Sequence, residues 1–252
     1  MSYLRALAFV LALTLSLIFA APLQWLARRY NWPLQHRIQM AFCRLMLAAM
    51  GVRVEAHGTM PSARPRFVVA NHVSWTDILA LASLHPLVFL AKKEVSSWPV
   101  LGFLARLQGT LFVERENRRA IPLVNAALSE KMRGGEDVVV FAEGTSSDGS
   151  TVLKFNAAHF AMLADMQAAG EAFVIAPVGI AYSQDVGWYG DMTFLPHLWS
   201  LMKTRGGVSC QIFFGDAVDA SGRDRKQLAA ETEARVRDLL QAARSESPKN
   251  SR

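Results

Sequence analysis

The stretch FVVANHVSWTD, from Phe67 to Asp77, decides the fold of this chain. Its first four residues form an unbroken apolar run, which is typical of a strand buried on both faces of a sheet. The polar residues that follow predict a turn and then the start of a helix. We therefore expect a strand–turn–helix unit with His72 in the turn.

His72 and Asp77 are the candidate catalytic pair of this unit. Five residues along a regular helix turn the chain by about 500°, which leaves two side chains roughly 140° apart. The pair can meet only if His72 precedes the helix and Asp77 lies in its first turns. A neutral imidazole so placed can take a proton from a hydroxyl, while a carboxylate holds its tautomer. A structural alternative makes Ser74 the helix N-cap and Asp77 its capping acid.

From Val52 onward, apolar strands alternate with helical patterns, which predicts an α/β fold with a mostly parallel sheet layered with helices. The predicted strands are 53–56, 67–70, 87–91, 109–113, 138–141, 173–178 and 208–214. The predicted helices are 75–84, 98–107, 117–133, 156–169 and 224–244. We divide the chain into an N-terminal helical segment that associates with a membrane (1–50), a catalytic domain (51–244) and a polar tail (245–252).

The N-terminal segment contains no charge from Ala6 to Ala27, and arginines flank it on both sides. Twenty-two helical residues extend about 33 Å, enough to cross the hydrocarbon core of a bilayer. Trp25 and Tyr30 are placed as interfacial anchors, and the excess of arginine after the segment favours a cytoplasmic catalytic domain. A helix lying in one leaflet and a cleaved signal peptide are the alternatives.

A second helix is predicted from Leu34 to Met50, and Gly51 is its expected C-terminal stop. Its apolar residues at helical spacing are Ile38, Phe42, Leu45 and Met46. Such a face fits either the core of the domain or the membrane interface.

The composition favours a lipid-facing protein with anionic partners. Of 252 residues, 52% are apolar, and the net charge is +6. No basic-aromatic nucleic-acid module, nucleotide loop or metal-ligand pattern is present, so we expect no nucleic acid, metal or cofactor. The two cysteines, Cys43 and Cys210, are far apart in sequence and indicate plain thiols in a reducing compartment.

Three further motifs lie on predicted strands or at their ends. GTLFVER (109–115) places Arg115 just past a strand, and FAEGT (141–145) places Glu143, Gly144 and Thr145 past another. VIAPV (174–178) is an apolar strand broken by a proline. Ligands of parallel sheets bind beyond the carboxyl ends of strands, so these polar groups are candidates for one site.

In this order and spacing, the four motifs resemble the four blocks of the glycerolipid acyltransferase family, whose members include the lysophosphatidate acyltransferases. The resemblance covers roughly residues 50–215. It implies transfer of a fatty acyl group to the hydroxyl of a single-chain lipid at a cell inner membrane. The donor would be a thioester of acyl carrier protein or coenzyme A, acting as a co-substrate. His72 would be the general base and Asp77 its orienting carboxylate.

The resemblance also implies the substrate-binding residues. Arg115 would contact the phosphate of the acceptor, as its forked guanidinium suits. Glu143, Gly144 and Thr145 would shape the acceptor site, and Asn71 would help to stabilise the oxyanion.

One departure from the family pattern concerns the acceptor. The third block usually continues with arginine, whereas Ser146 stands here. The sequence EGTSSDG resembles the branch that acylates lyso-ornithine lipid, in which Asp148 would pair with the amine of the head group and Arg115 with its carboxylate. Alternatively, Lys154 replaces the missing cation and the acceptor remains a phosphate.

Two other functions remain as alternatives: a membrane-bound thioesterase in which His72 activates water, and a lipid-binding protein of the same fold. The serine esterase motif G-x-S-x-G is absent from the sequence.

Overall fold

The computed structural model describes residues 2–114 and 117–246, which contain one seven-stranded sheet. Its strands are β1 (Val52–His57), β2 (Arg66–Ala70), β3 (Val88–Lys92), β4 (Leu111–Val113), β5 (Val138–Phe141), β6 (Val174–Tyr182) and β7 (Val208–Phe214). They lie in the order β1-β7-β6-β2-β5-β3-β4, and every neighbouring pair is parallel except β6 and β7. This confirms the predicted α/β fold with a mostly parallel sheet.

Helices cover both faces of this sheet. They are α1 (Ser2–Leu15), α2 (Ala21–Arg29), α3 (Leu34–Met50), α4 (Thr76–Leu84), α5 (Pro99–Leu107), α6 (Ile121–Arg133), α7 (Ala161–Ala168), α8 (Phe194–Lys203) and α9 (Arg225–Glu246). Because successive strand residues point to opposite faces, β2 supplies both apolar cores. Val68 and Ala70 pack with α3, α4 and α8, whereas Phe67 and Val69 pack with α6, α7 and α9.

Strand β6 corrects the prediction of a strand broken by proline. It continues through Pro177 to Tyr182, and Pro177 is in register with Val69 of β2. Pairing with β7 begins only at the next residue, Val178. The missing N–H of the proline therefore falls just outside that ladder, which is the position a strand tolerates.

The helical predictions need two corrections. Helix α8 was not predicted, and Pro196 occupies its first turn, where proline is tolerated. Helix α7 begins at Ala161, five residues later than predicted. The final helix, α9, runs to Glu246, two residues into the predicted polar tail, and the rest of that tail lies outside the described residues.

Helix α3 ends where predicted, since Gly51 adopts the left-handed conformation with φ of 80° and its N–H bonds to Ala48 O. Its buried face differs in part from the predicted one. Leu45 stays 46% exposed, whereas Cys43 and Leu47 are buried in the core.

Helices α1 and α2 are joined by a π-helical turn, Ser16–Ala20, into one continuous helix from Ser2 to Arg29. Among the described residues, it alone is long and apolar enough to cross a membrane. It lies against the domain, and both of its ends are hydrogen bonded there. The Arg5 guanidinium donates to Thr204 O at 2.8 Å, and that of Arg28 donates to Gln108 O at 3.2 Å.

The face of this helix toward the domain carries small and polar side chains, and its outer face is apolar. The buried residues are Ala12, Ser16, Ala21, Gln24 and Ala27. The exposed large apolar residues are Tyr3, Leu4, Leu7, Val10, Leu11, Leu15, Ile18, Phe19, Leu23 and Trp25. This is the reverse of an amphipathic helix in a water-soluble protein and is typical of contact with lipid.

Candidate active site

The site lies at the edge of the sheet where β2, β5 and β6 end. Because these three strands run parallel, the residues that follow them meet at one edge. Asn71 follows β2 directly, and its amide group bonds to the backbone of β6. Its Nδ2 donates to Ile180 O at 3.0 Å, and its Oδ1 accepts from Ile180 N at 2.8 Å. In this structure Asn71 therefore fixes the end of β2 to β6.

His72 and Asp77 are in direct contact. His72 Nδ1 lies 2.8 Å from Asp77 Oδ2, with His72 in the turn and Asp77 in the first turn of α4. An ionised carboxylate only accepts hydrogen bonds, so Nδ1 carries the proton and Nε2 keeps its lone pair. The imidazole stacks on Phe141, with ring centroids 4.1 Å apart. The structure thus fixes the orientation of the His72 imidazole at the strand end.

The same carboxylate also organises the backbone of the turn. Asp77 Oδ2 accepts from Val73 N at 2.7 Å and from Ser74 N at 3.0 Å. The bond to Ser74 N is the acid half of the capping-box alternative. The other half is missing, because the Ser74 hydroxyl is buried without a hydrogen-bond partner among the described residues. Contact with His72 and helix capping are therefore combined in one side chain.

Glu143 follows β5, and its carboxylate binds the backbone of the turn that contains His72. Its Oε2 accepts from His72 N at 2.9 Å, and its Oε1 accepts from Leu153 N at 2.8 Å. Ser147 N in turn donates to His72 O at 3.0 Å. Burial raises the pKa of Glu143 to about 7, although the two backbone hydrogen bonds lower it. Both carboxylate oxygens thus face backbone amides.

Of the other residues predicted to bind substrate, the structure describes Gly144 and Thr145 but not Arg115. Gly144 has φ of 74°, which suits a residue without a Cβ, and Thr145 is exposed beside it. Arg115 lies outside the described residues. Its neighbour Glu114 forms an ion pair with Lys93.

Two side chains at the site were not recognised as functional from the sequence. The Tyr182 hydroxyl, at the end of β6, donates to Asp77 Oδ1 at 2.7 Å. Trp188 lies in the loop after β6. Its backbone N–H donates to Val73 O at 3.0 Å, and its backbone carbonyl accepts from the Ser146 hydroxyl.

An aromatic cluster lies beside the turn that contains His72. Trp98 contacts both Trp188 and Phe194, with ring centroids 6.4 and 5.6 Å apart, and Trp75 contacts Phe194 at 4.9 Å. The indole N–H of Trp75 also donates to His197 Nδ1 at 3.0 Å. These contacts join the turn that contains His72, the start of α5, the loop after β6 and the start of α8.

The described residues contain no group of three or more His, Cys, Asp or Glu side chains placed to hold a metal ion. The thiols of Cys43 and Cys210 are buried, and burial raises the pKa of Cys43 to about 12. A thiol that stays protonated is a poor nucleophile.

Comparison with known proteins identifies the family. Residues 51–181 match the family model described as Acyltransferase. The chain belongs to the acyltransferase family. This confirms the family resemblance of the four motifs, and the protein is an enzyme of this class.

Two curated relatives of this acyltransferase are of similar length. A protein of Brucella abortus named lyso-ornithine lipid O-acyltransferase is 37% identical over 94% of this chain and 92% of that protein. A protein of Neisseria gonorrhoeae named 1-acyl-sn-glycerol-3-phosphate acyltransferase is 32% identical over 82% of each. The crystal structure of the lysophosphatidate acyltransferase PlsC of Thermotoga maritima matches 99% of this chain and all of that one, with a TM-score of 0.69 and 22% identity. The acyltransferase therefore shares the PlsC fold.

Proposed function

We propose that this acyltransferase moves a fatty acyl group from a carrier thioester to the hydroxyl of a single-chain lipid, with His72 as general base. The observation that carries this proposal is the contact of 2.8 Å between His72 Nδ1 and Asp77 Oδ2. It leaves Nε2 as the proton acceptor and places a negative charge where the imidazolium forms.

The proposed reaction is a direct transfer without an acyl-enzyme. The lipid oxygen bonds to the thioester carbonyl carbon while its proton passes to His72 Nε2. The tetrahedral intermediate then breaks its C–S bond, and the imidazolium returns the proton to the departing sulfur. The products are the ester and the thiol of the carrier, and no further cofactor takes part.

We infer that the acceptor is lyso-ornithine lipid. The relative with 37% identity carries that name, as do three more relatives with 36% identity. Ser146 supports this inference, because it stands where the family pattern has a phosphate-binding arginine and its hydroxyl bonds to Trp188 O. Nearby Asp148 is exposed, and hydrogen bonds from Ser150 lower its pKa, which suits a partner for an amine.

A phosphate acceptor is the second candidate. The relative from Neisseria gonorrhoeae is named for 1-acyl-sn-glycerol-3-phosphate. Lys154 is exposed and follows Leu153, whose N–H binds Glu143. It is therefore the cation that would replace the missing arginine.

The proposed donor is a thioester of acyl carrier protein or coenzyme A. Both carriers are anionic, which suits a chain of net charge +6. Lys92 and Lys93 are exposed at the end of β3, but each is paired with a glutamate, Glu94 at 3.7 Å and Glu114 respectively.

We propose that residues 1–50 hold the protein in one leaflet of the cell inner membrane, with residues 51–244 as the cytoplasmic catalytic domain. The helix Ser2–Arg29 bonds to the domain near both ends. A helix that crossed the bilayer in this arrangement would carry the domain surface beside it into the hydrocarbon. A helix lying in the plane of the interface avoids that cost.

The first test is acyl transfer in membranes from a labelled thioester of acyl carrier protein or of coenzyme A. Wild type and His72→Ala would each receive lyso-ornithine lipid or 1-acylglycerol-3-phosphate. We expect wild type to acylate lyso-ornithine lipid and the variant to lose about 10²- to 10⁴-fold in rate, the usual contribution of a general base.

The other results distinguish the alternatives. Equal rates for the two proteins would exclude His72 as the base, and preference for the phosphate acceptor would overturn the assignment of the acceptor. Thioester loss that needs no lysolipid would indicate a thioesterase. Lipid binding without turnover in either protein would indicate a binding protein of this fold.

A further inference from the structure

Tyr182 is a partly buried link in the hydrogen-bond network of the candidate base. Its hydroxyl lies 2.7 Å from Asp77 Oδ1 and 2.9 Å from Thr76 Oγ1. The side chains of Asp77 and Thr76 are fully buried. Since an ionised carboxylate cannot donate, Tyr182 donates to Asp77, and the tyrosine oxygen then accepts from Thr76. Thr76 therefore donates a hydrogen bond to Tyr182, which in turn donates one to Asp77.

The two oxygens of Asp77 have different partners. Oδ2 accepts from His72 Nδ1 and from the N–H groups of Val73 and Ser74, at 2.7–3.0 Å. Oδ1 accepts from Tyr182, which belongs to a different strand. A carboxylate can rotate about its Cβ–Cγ bond, and donors on both oxygens fix the plane of that rotation. The bond from Tyr182 therefore restrains the carboxylate at Oδ1 and adds to the three contacts that hold Oδ2 toward His72 and the turn.

Tyr182 is suited to donate throughout the working range of pH. Burial and the neighbouring Asp77 charge raise the pKa of its hydroxyl well above the ordinary value. The group therefore stays protonated and does not compete with His72 as a base. Its bond to Asp77 is also charge-assisted, which makes it stronger than a bond between neutral groups.

We propose that Tyr182 is a positioning residue for catalysis, which acts by holding Asp77 so that its Oδ2 faces His72 Nδ1. This proposal rests on the proposed function of His72 as general base. Tyr182 acts through Asp77 and does not touch the substrate. The role explains why a polar hydroxyl ends the apolar strand β6 at this edge of the sheet.

The test is a double-mutant cycle in the full chain, assayed by acyl transfer in membranes. Tyr182→Phe keeps the ring and removes the hydroxyl. We expect kcat to fall about tenfold, less than the 10²- to 10⁴-fold loss of a general base, while KM for both substrates stays unchanged. Adding Tyr182→Phe to Asp77→Asn should cost nothing further, because the residue through which it acts is already altered.

Two more variants control this experiment. Ser221→Ala removes an exposed hydroxyl that bonds to Asp219 in the loop before α9, and it should leave kcat at the wild-type value. Thr76→Val removes the donor to Tyr182 and should lower kcat less than Tyr182→Phe does. Thermal unfolding of each variant checks that it folds, and if Tyr182→Phe does not, Thr76→Val with and without Asp77→Asn replaces it in the cycle.

The possible failures are distinguishable. The positioning role would be overturned if Tyr182→Phe kept the wild-type kcat, or if the losses of kcat in the two single variants multiplied in the double variant. In either case an inactive His72→Ala would still support the proposed function. A rise in KM alone would also overturn it, because it would place Tyr182 in substrate binding. Full activity of His72→Ala would instead refute the proposed function.

Discussion

At the scale of single residues, the contact between His72 and Asp77 could be predicted from the sequence, but the side chains that support it could not. The spacing of His72 and Asp77 restricted them to one geometry, a turn followed by a helix start, and the structure has that geometry. Tyr182 is 105 residues away from Asp77 and reaches it only because β6 lies beside β2. No local pattern carries that information, since it depends on strand order.

Glu143 carries a prediction at this scale. The pKa of its carboxyl is about 7 in the folded protein and ordinarily 4.5. Between these pH values the folded state holds a proton that the unfolded state has released, so stability falls as pH rises through this window. Glu143→Gln cannot titrate. We therefore expect the unfolding temperature of wild type to fall relative to that of Glu143→Gln between pH 4.5 and 7.

The measurement is thermal unfolding of both proteins in the same detergent at a series of pH values. Other titrating groups are common to the two proteins and cancel in the difference. Two curves that stay parallel across this window would show that the carboxyl of Glu143 is not perturbed in the folded state.

At the scale of elements, the apolar runs predicted the strands well, and the expected break at Pro177 was wrong. Pro177 lies inside β6 and Pro196 inside the first turn of α8, because the N–H that each lacks has no partner to lose there. Whether a proline breaks an element thus depends on its neighbours in space. The glycine rule held at Gly51, where the stop signal of α3 acts through the glycine's own backbone angles.

Gly51 also joins two elements, which gives a prediction at this scale. A Cβ at this position would lie 2.6 Å from the Arg5 guanidinium carbon, whereas a Cβ at Gly135 would meet nothing within 4 Å. The φ angles of the two glycines are almost equal, 80° and 79°. Gly135→Ala should cost about 1 kcal/mol, or roughly 2–4 °C in unfolding temperature. Gly51→Ala should cost more, because it also displaces Arg5 from Thr204.

The test compares the two substitutions in wild type and in Arg5→Ala by thermal unfolding. In the Arg5→Ala background we expect equal costs for the two glycines. If Gly51→Ala remained the more costly substitution there, its extra cost would not come from Arg5.

At the scale of the whole molecule, the long apolar segment was visible in the sequence, but its attachment was not. Composition alone is compatible with a spanning helix, an interfacial helix or a signal peptide. Arg5 and Arg28 appeared only as flanking charges, and their carbonyl partners on the domain could not be predicted. These contacts favour the interfacial arrangement proposed above.

Single cysteines at the two ends of the helix test this arrangement. Ser2→Cys and Arg29→Cys should both react with a membrane-impermeant maleimide from the side that exposes the catalytic domain, with Ser221→Cys as the marker of that side. Cys43 and Cys210 are at most 4% exposed and should contribute little background. Reaction of Ser2→Cys only from the opposite side would show that the helix spans the bilayer.

The attachment of the N-terminal helix near both ends has a consequence for how the enzyme meets its substrates. A catalytic domain on a flexible tether samples a range of heights above the membrane, whereas the proposed interfacial arrangement would hold His72 at one distance from the lipid surface. The lipid acceptor must therefore arrive by lateral diffusion to one fixed depth. The rate should follow its mole fraction in the membrane rather than its concentration in the bulk solution, and dilution with inert lipid should slow the enzyme at constant total substrate.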